Sequence, residues 1–162
     1  MELTTRGRYA VMAMADLARV GADDPVALAA IADRQKLSPA YLEQLFALLR
    51  RAELVRSARG RSGGYRLGRP AANISIADIL TAVEEQTRMT RCTGEGDTGC
   101  LGHTRCITHG LWQALGAHIA HFFSSVTLQD VVDGRPLRPL DSSLPLDVIV
   151  TPAPQRERLA AE

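Results

Sequence analysis

The stretch RCTGEGDTGCLGHTRCITHG, Arg91 to Gly110, gathers all three cysteines of the chain, two of its four histidines and five glycines. Cys92, Cys100 and Cys106 are separated by seven and five residues, and His109 follows Cys106 after two. Thiolate and imidazole are soft or borderline ligands, and four of them make one metal site. Three thiolates and one imidazole form a common tetrahedral zinc site. Zinc cysteines, however, usually pair at about two to four residues' separation, and both intervals between these cysteines are longer. A 2Fe–2S cluster offers two irons that each take two protein ligands, with cysteine as the usual anchor and histidine able to replace some of it. Spacing alone leaves zinc and cluster open, and His103 is a competing imidazole for the fourth position.

A chain of 162 residues, 46% apolar and 23% charged, is long enough for one ordinary globular core with an appended element. Arg6, Arg8 and Asp16 interrupt the opening apolar run, so no cleavable signal is expected there. The roughly 18 consecutive apolar residues of a membrane span occur nowhere. The expected location is cytoplasmic, with no membrane partner. A reducing cytosol disfavours structural disulfides, which makes metal binding or redox chemistry the better reading of three clustered cysteines.

Formal net charge is +1, but it is unevenly divided: twelve Arg or Lys face seven Asp or Glu through residue 70, and seven face eleven beyond it. Between Arg50 and Arg69 stand Arg50, Arg51, Arg56, Arg59, Arg61, Arg66 and Arg69, opposed by Glu53 alone. Such a focus suits a polyanion. Arginine outnumbers lysine eighteen to one throughout the chain, so arginine richness by itself does not decide the matter and position must.

Position comes from the elements. Thr4 or Thr5 can cap a helix through Tyr9, Val11, Met12, Met14, Leu17 and Val20, stopped by Gly21 and Asp23-Asp24-Pro25. ALAAIADRQ places Leu28, Ile31 and Ala32 on one face, KLSP breaks the run, and SPAYLEQLFALLRRAEL resumes it with Leu42, Leu45, Phe46, Leu48 and Leu49. Ser38 stands at an N-cap before Pro39, a favoured first helical residue. Two helices joined by about three residues describe a helix-turn-helix. LVRSARGRSGGYRLG then reads as two short strands, near Leu54 to Ser57 and Tyr65 to Leu67, reversed at Gly60, Gly63 and Gly64. Their tip carries Arg59 and Arg61, and GRSGG fits neither a P-loop nor a dinucleotide-binding loop. The predicted fold is therefore mainly α: a winged helix-turn-helix with a small β wing, followed by a long helix.

Asn73 or Ser75 starts a further helix over ISIADILTAVEE, leading into the cysteine loop. HGLWQALGAHIAHFFSSVTLQDVV beyond it carries Leu111, Trp112, Leu115, Ile119, Phe122, Phe123 and Val126 in an apolar stripe read as a dimerisation helix. His118 and His121 are read as surface or interface residues of that helix. The expected organisation is 1–85 DNA-binding domain, 86–110 cluster-binding loop, 111–134 dimerisation helix region and 135–162 disordered tail.

MELTTRGRYAVMAMADLA, SPAYLEQLFALLRRAELV, RGRSGGYRL, ISIADILTAVEE and the three cysteines with His109, followed by Leu111-Trp112, resemble the IscR-type iron–sulfur cluster regulators. The resemblance covers about Met1 to Gly134. It departs from the commonest family form in a first cysteine interval two residues longer. It implies a 2Fe–2S cluster on Cys92, Cys100, Cys106 and His109, and a homodimer on double-stranded DNA with a palindromic operator. It also implies repression of iron–sulfur assembly genes in the loaded state, with assembly proteins as cluster donors. It implies no enzyme activity.

The candidate DNA contacts are Ser38, Ala40, Tyr41, Glu43, Gln44, Arg51, Arg59 and Arg61. Gln44 can pair bidentately with adenine, and Glu43 can accept from cytosine N4 while being repelled by phosphate. Two rival functions stand beside this reading: a zinc-stabilised winged-helix protein without sensing, and an iron–sulfur electron carrier.

Overall fold

Ala10, Ala13, Met14 and Leu17 recur at three- and four-residue steps, and in the computed structural model of the chain all four are fully buried on one side of helix α1 (Thr5–Val20). The structure describes residues 3–21, 24–60, 63–85 and 105–135. Helix α2 (Leu28–Gln35) presents Ile31 and Ala32 to the same core, and α3 (Pro39–Arg51) adds Leu42, Leu45, Phe46 and Leu49. Each such large side chain contributes about 1.5–3 kcal/mol on burial, so these three helices supply a substantial share of the driving force of the domain. Lys36, Leu37 and Ser38 join α2 to α3. Lys36 takes the left-handed conformation (φ 56°), and Leu37 N–H closes the turn on Ala32 O at 3.0 Å.

The two strands are β1 (Val55–Ala58) and β2 (Gly64–Leu67), paired antiparallel with Val55 opposite Leu67 and Ala58 opposite Gly64. Val26 adds a bridge to this ribbon, exchanging backbone hydrogen bonds with Tyr65 at 2.8 and 2.9 Å. That bridge explains Gly64 better than a tight reversal does, because a Cβ there would stand 2.4 Å from Val26 O. At the tip it is Gly60 that takes positive φ, at 115°.

A 3-10 turn (Ala71–Asn73) leads to α4 (Ile76–Ala82), whose N-cap is Ser75 and not Asn73. Ser75 and Asp78 form a reciprocal capping box, which fixes the start. Helix α5 (His109–Ser125) begins at His109, where the apolar segment predicts the long helix to start, and ends earlier than the apolar stripe suggests. Thr127 and Asp130 form a second capping box that starts a separate helix, α6 (Leu128–Val132). Ile76 N–H donates to Val126 O and Leu128 N–H to Ile74 O, so this break is stitched to the start of α4. Val126 and Leu128 are buried in the core with α1 and α4, so Val126, which the apolar stripe assigns to a partner chain, packs within its own.

The described residues fall into two compact units: residues through Glu85 with Ile119 onward, and Arg105 to His118. The second unit is a turn at Ile107 and Thr108 followed by the first part of α5, where Leu111, Trp112 and Leu115 are exposed. No helix among the described residues is long and apolar enough to cross a membrane.

Candidate nucleic-acid interface and metal-ligand segment

Burial of Leu42, Leu45, Phe46 and Leu49 turns the opposite face of α3 outward, and Ser38, Ala40, Glu43, Gln44 and Ala47 are exposed along it. Ser38 holds the N-cap position, but its hydroxyl takes no capping hydrogen bond. Glu43 and Gln44 make no hydrogen bond or ion pair among the described residues, so their polar groups face water. Tyr41 differs. It is half-buried and meets Tyr9 edge to face, with ring centroids 6.2 Å apart, which ties the start of α3 to α1. Phe46 meets Tyr65 of β2 at 4.8 Å, fixing the wing against α3.

The structure sorts the arginine cluster. Arg69 donates to Asp78 at 2.7 Å and thereby braces the α4 capping box. Arg66 lies 3.9 Å from Asp24. Arg50, Arg51, Arg56 and Arg59 are exposed and form no ion pair among the described residues. Arg50 and Arg51 occupy the last turn of α3, where the helix dipole favours cations. Arg61 lies outside the described residues. The outward face of α3, flanked by free guanidinium groups, is chemically suited to a phosphate-lined groove.

Two features of the domain escaped sequence reasoning. Asp16, 3% exposed, accepts from Arg34 Nη2 at 2.6 Å, from Arg34 Nε at 3.0 and 3.2 Å, and from Gln35 Nε2 at 3.0 Å, locking α1 to the end of α2. Burial alone raises the Asp16 carboxyl, but the hydrogen bonds from Arg34 and Gln35 and the charges of Arg34 and Arg19 outweigh it and hold the group below the usual carboxylate range. Secondly, Glu85 caps α1 from the far end of the domain, accepting from Thr4 N–H at 2.9 Å and Gly7 N–H at 3.2 Å. An i, i+18 carboxylate and a distant cap leave no periodic trace in a sequence.

In the metal-ligand segment, Cys106 is a half-buried free thiol and His109 opens α5. His109 N–H donates to Cys106 O at 3.0 Å, so one turn brings these two donors to the start of the helix. Cys106 Sγ lies 3.5 Å from Thr108 Oγ1, which also accepts from Trp112 Nε1 at 3.2 Å. Cys92, Cys100 and His103 lie outside the described residues. A thiol and an imidazole are donors that either zinc or an iron–sulfur cluster accepts, so the described half of the set fits both.

Residues 3–134 match Rrf2, the iron-dependent transcriptional regulators. The chain belongs to the Rrf2 family. This Rrf2 protein is 45% identical over 151 residues to the HTH-type transcriptional regulator IscR of Vibrio campbellii, spanning 93% of this chain and 89% of that one. It is 49% identical over 132 residues to IscR of Vibrio cholerae, spanning 82% and 75%. Among solved structures it is similar to T. potens IscR, with TM-score 0.69, 37% identity and coverage of 84% and 89%. It is also similar to CymR, the global cysteine regulator of B. subtilis, with TM-score 0.70, 30% identity and coverage of 84% and 99%. The winged helix-turn-helix of this Rrf2 protein is thus a regulator's fold, and its work is the control of transcription and not catalysis.

Proposed function

We propose that this protein is a cytoplasmic, homodimeric transcription factor that binds palindromic double-stranded DNA and carries a 2Fe–2S cluster on Cys92, Cys100, Cys106 and His109. In this reading it represses iron–sulfur assembly genes when loaded and receives its cluster from assembly proteins. One observation carries it: a helix-turn-helix face with unpaired polar and cationic groups is combined, in one Rrf2 chain, with three cysteines ending in Cys106-x-x-His109.

The roles divide along the chain as 1–85 for DNA, 86–110 for the ligands, 111–134 for dimerisation and 135–162 as tail. Helix α3 enters the major groove with Glu43 and Gln44 reading base edges, while Ser38, Ala40 and Tyr41 approach from its N-terminal end. Arg51, Arg59 and Arg61 hold phosphates or the narrow minor groove. The exposed Leu111 and Leu115 pair α5 with its counterpart, setting two α3 helices about 34 Å apart for successive half-sites.

A bound cluster supplies a redox- and supply-sensitive group. Cys92, Cys100 and Cys106 hold it as thiolates. His109 offers an imidazole nitrogen where a fourth cysteine would offer a thiolate and holds the cluster less firmly, and this difference makes occupancy responsive. Anaerobic purification tests the reading. Red-brown protein with iron and acid-labile sulfide, selecting a palindromic sequence from random DNA, is the expected result. Colourless protein containing zinc overturns it in favour of a structural metal, and coloured protein that selects no DNA sequence favours an electron carrier.

A further inference from the structure

Thr108, one of the two residues between Cys106 and His109, has its own hydrogen-bond circuit. Thr108 Oγ1 stands 3.5 Å from Cys106 Sγ and 3.2 Å from Trp112 Nε1. Trp112 is tied to Thr108 a second time, since its backbone N–H donates to Thr108 O at 3.3 Å. Thr108 occupies the position directly before α5, where a threonine hydroxyl ordinarily accepts from a backbone N–H of the first turn. Here the oxygen takes the indole N–H instead.

Donor chemistry sets the direction of the chain of bonds. An indole N–H only donates, and a thiolate only accepts. With Trp112 donating to its oxygen, Thr108 keeps one O–H to give, and among the described residues the acceptor within reach is the Cys106 sulfur. We infer that Thr108 is a positioning residue for the ligand Cys106, relaying polarity from Trp112 through its hydroxyl to the Cys106 thiolate. The inference rests on the cluster reading above. A donor on a ligand sulfur stabilises the extra electron density that arrives on one-electron reduction, so it raises the reduction potential. It also orients the thiolate and slows its departure. Thr108 therefore adds, beside the weaker ligand His109, a second control on how easily the site is reduced and emptied.

Thr108→Val, Thr108→Ser and Trp112→Phe test the relay in full-length protein purified anaerobically. Three readouts are taken beside the parent: midpoint potential in a dithionite titration, rate of colour loss in air, and oligomeric state. Thr108→Val should move the potential negative and speed colour loss several-fold with the oligomeric state unchanged. Thr108→Ser should restore both values, and Trp112→Phe should shift both in the valine direction by less.

Trp112 is the only tryptophan of the chain, so its indole N–H gives a single cross-peak in a nitrogen–proton spectrum of the cluster-free protein. That peak should move in Thr108→Val and return in Thr108→Ser. A coloured parent whose Thr108→Val variant keeps the parental potential, rate of colour loss and indole peak overturns the relay alone. A colourless parent containing zinc overturns the relay together with the cluster reading, and the colour of the parent distinguishes the two failures.

Discussion

Glu85 and Thr4 are 81 positions apart and joined by two hydrogen bonds: both the N–H and the hydroxyl of Thr4 donate to the Glu85 carboxylate. Gly7 N–H adds a third, and a Cβ at Gly7 would come within 2.9 Å of the Glu85 side chain. The first turn of α1 has no acidic residue of its own and its N-cap Thr4 makes no capping bond, so Glu85 satisfies donors that the local sequence leaves open.

Replacing Glu85 should therefore loosen α1 at its start. Glu85→Ala should cost about 0.5–2 kcal/mol, the range for a lost N-cap, and Glu85→Gln less, because an amide oxygen can still accept from Thr4. Urea denaturation of both variants beside the parent measures the difference. Equal midpoints for Glu85→Ala and the parent would show that water serves the α1 donors as well as the carboxylate does.

Asp16 should govern acid stability. Burial raises its carboxyl, but bonds and charges from Arg34, Gln35 and Arg19 win and lower it. Glu85 is also lowered, burial being outweighed by its bonds from Thr4 and Gly7 and by Arg6. A folded value below the unfolded one adds stability above the unfolded value and loses it as pH falls through the folded value. For carboxylates this window opens below about pH 4. Asp16→Asn should lower stability near neutral pH by about 3 kcal/mol, the lower end for breaking a buried pair, and flatten the loss on acidification. The lower end applies because the Arg34 side chain is 34% exposed. Thermal unfolding at several pH values provides the check.

Arginines that look alike in sequence should separate in DNA binding. Arg59→Ala should weaken every site and reduce the salt slope by about one unit, as loss of one phosphate contact does. Arg69→Ala should leave the slope unchanged, because Arg69 is occupied with Asp78. Glu43→Ala should broaden the selected sequences while keeping total affinity, losing discrimination of about 1–3 kcal/mol at one base position. Selection on random DNA at several salt concentrations reads all three. An unchanged preference for Glu43→Ala, or an altered one for Arg59→Ala, would reverse the assigned roles.

Cys92→Ala, Cys100→Ala, Cys106→Ala and His109→Ala should each abolish stable cluster absorbance and leave a folded dimer. The folded state should survive because the core is built from α1 to α4, Val126 and Leu128. Visible spectra and sedimentation test this directly. Full absorbance in His109→Ala with loss in His103→Ala would transfer the fourth ligand to His103.

The sequence by itself determined the helices and strands that are written in adjacent residues. Ser38-Pro39 marked the start of α3, apolar periodicity marked the buried faces of α1, α2 and α3, and the glycines between two short runs located the wing strands to within a residue. The resemblance drawn from those motifs and from the cysteine spacing pointed to the regulator family that residues 3–134 match. Even the break before α6 was present as Thr127 followed three residues later by Asp130, but the apolar steps through Phe122, Phe123 and Val126 masked it.

Only the tertiary structure decided which polar groups are spent and which are free. Arg69 is bound and Arg59 is not, Thr4 is capped by Glu85, Asp16 is buried under Arg34, and Val126 and Leu128 fill this chain's own core. The physical reason is range. Propensity, capping and periodicity act over a few residues, whereas an ion pair or a filled core depends on which distant segments packing brings within a few ångströms.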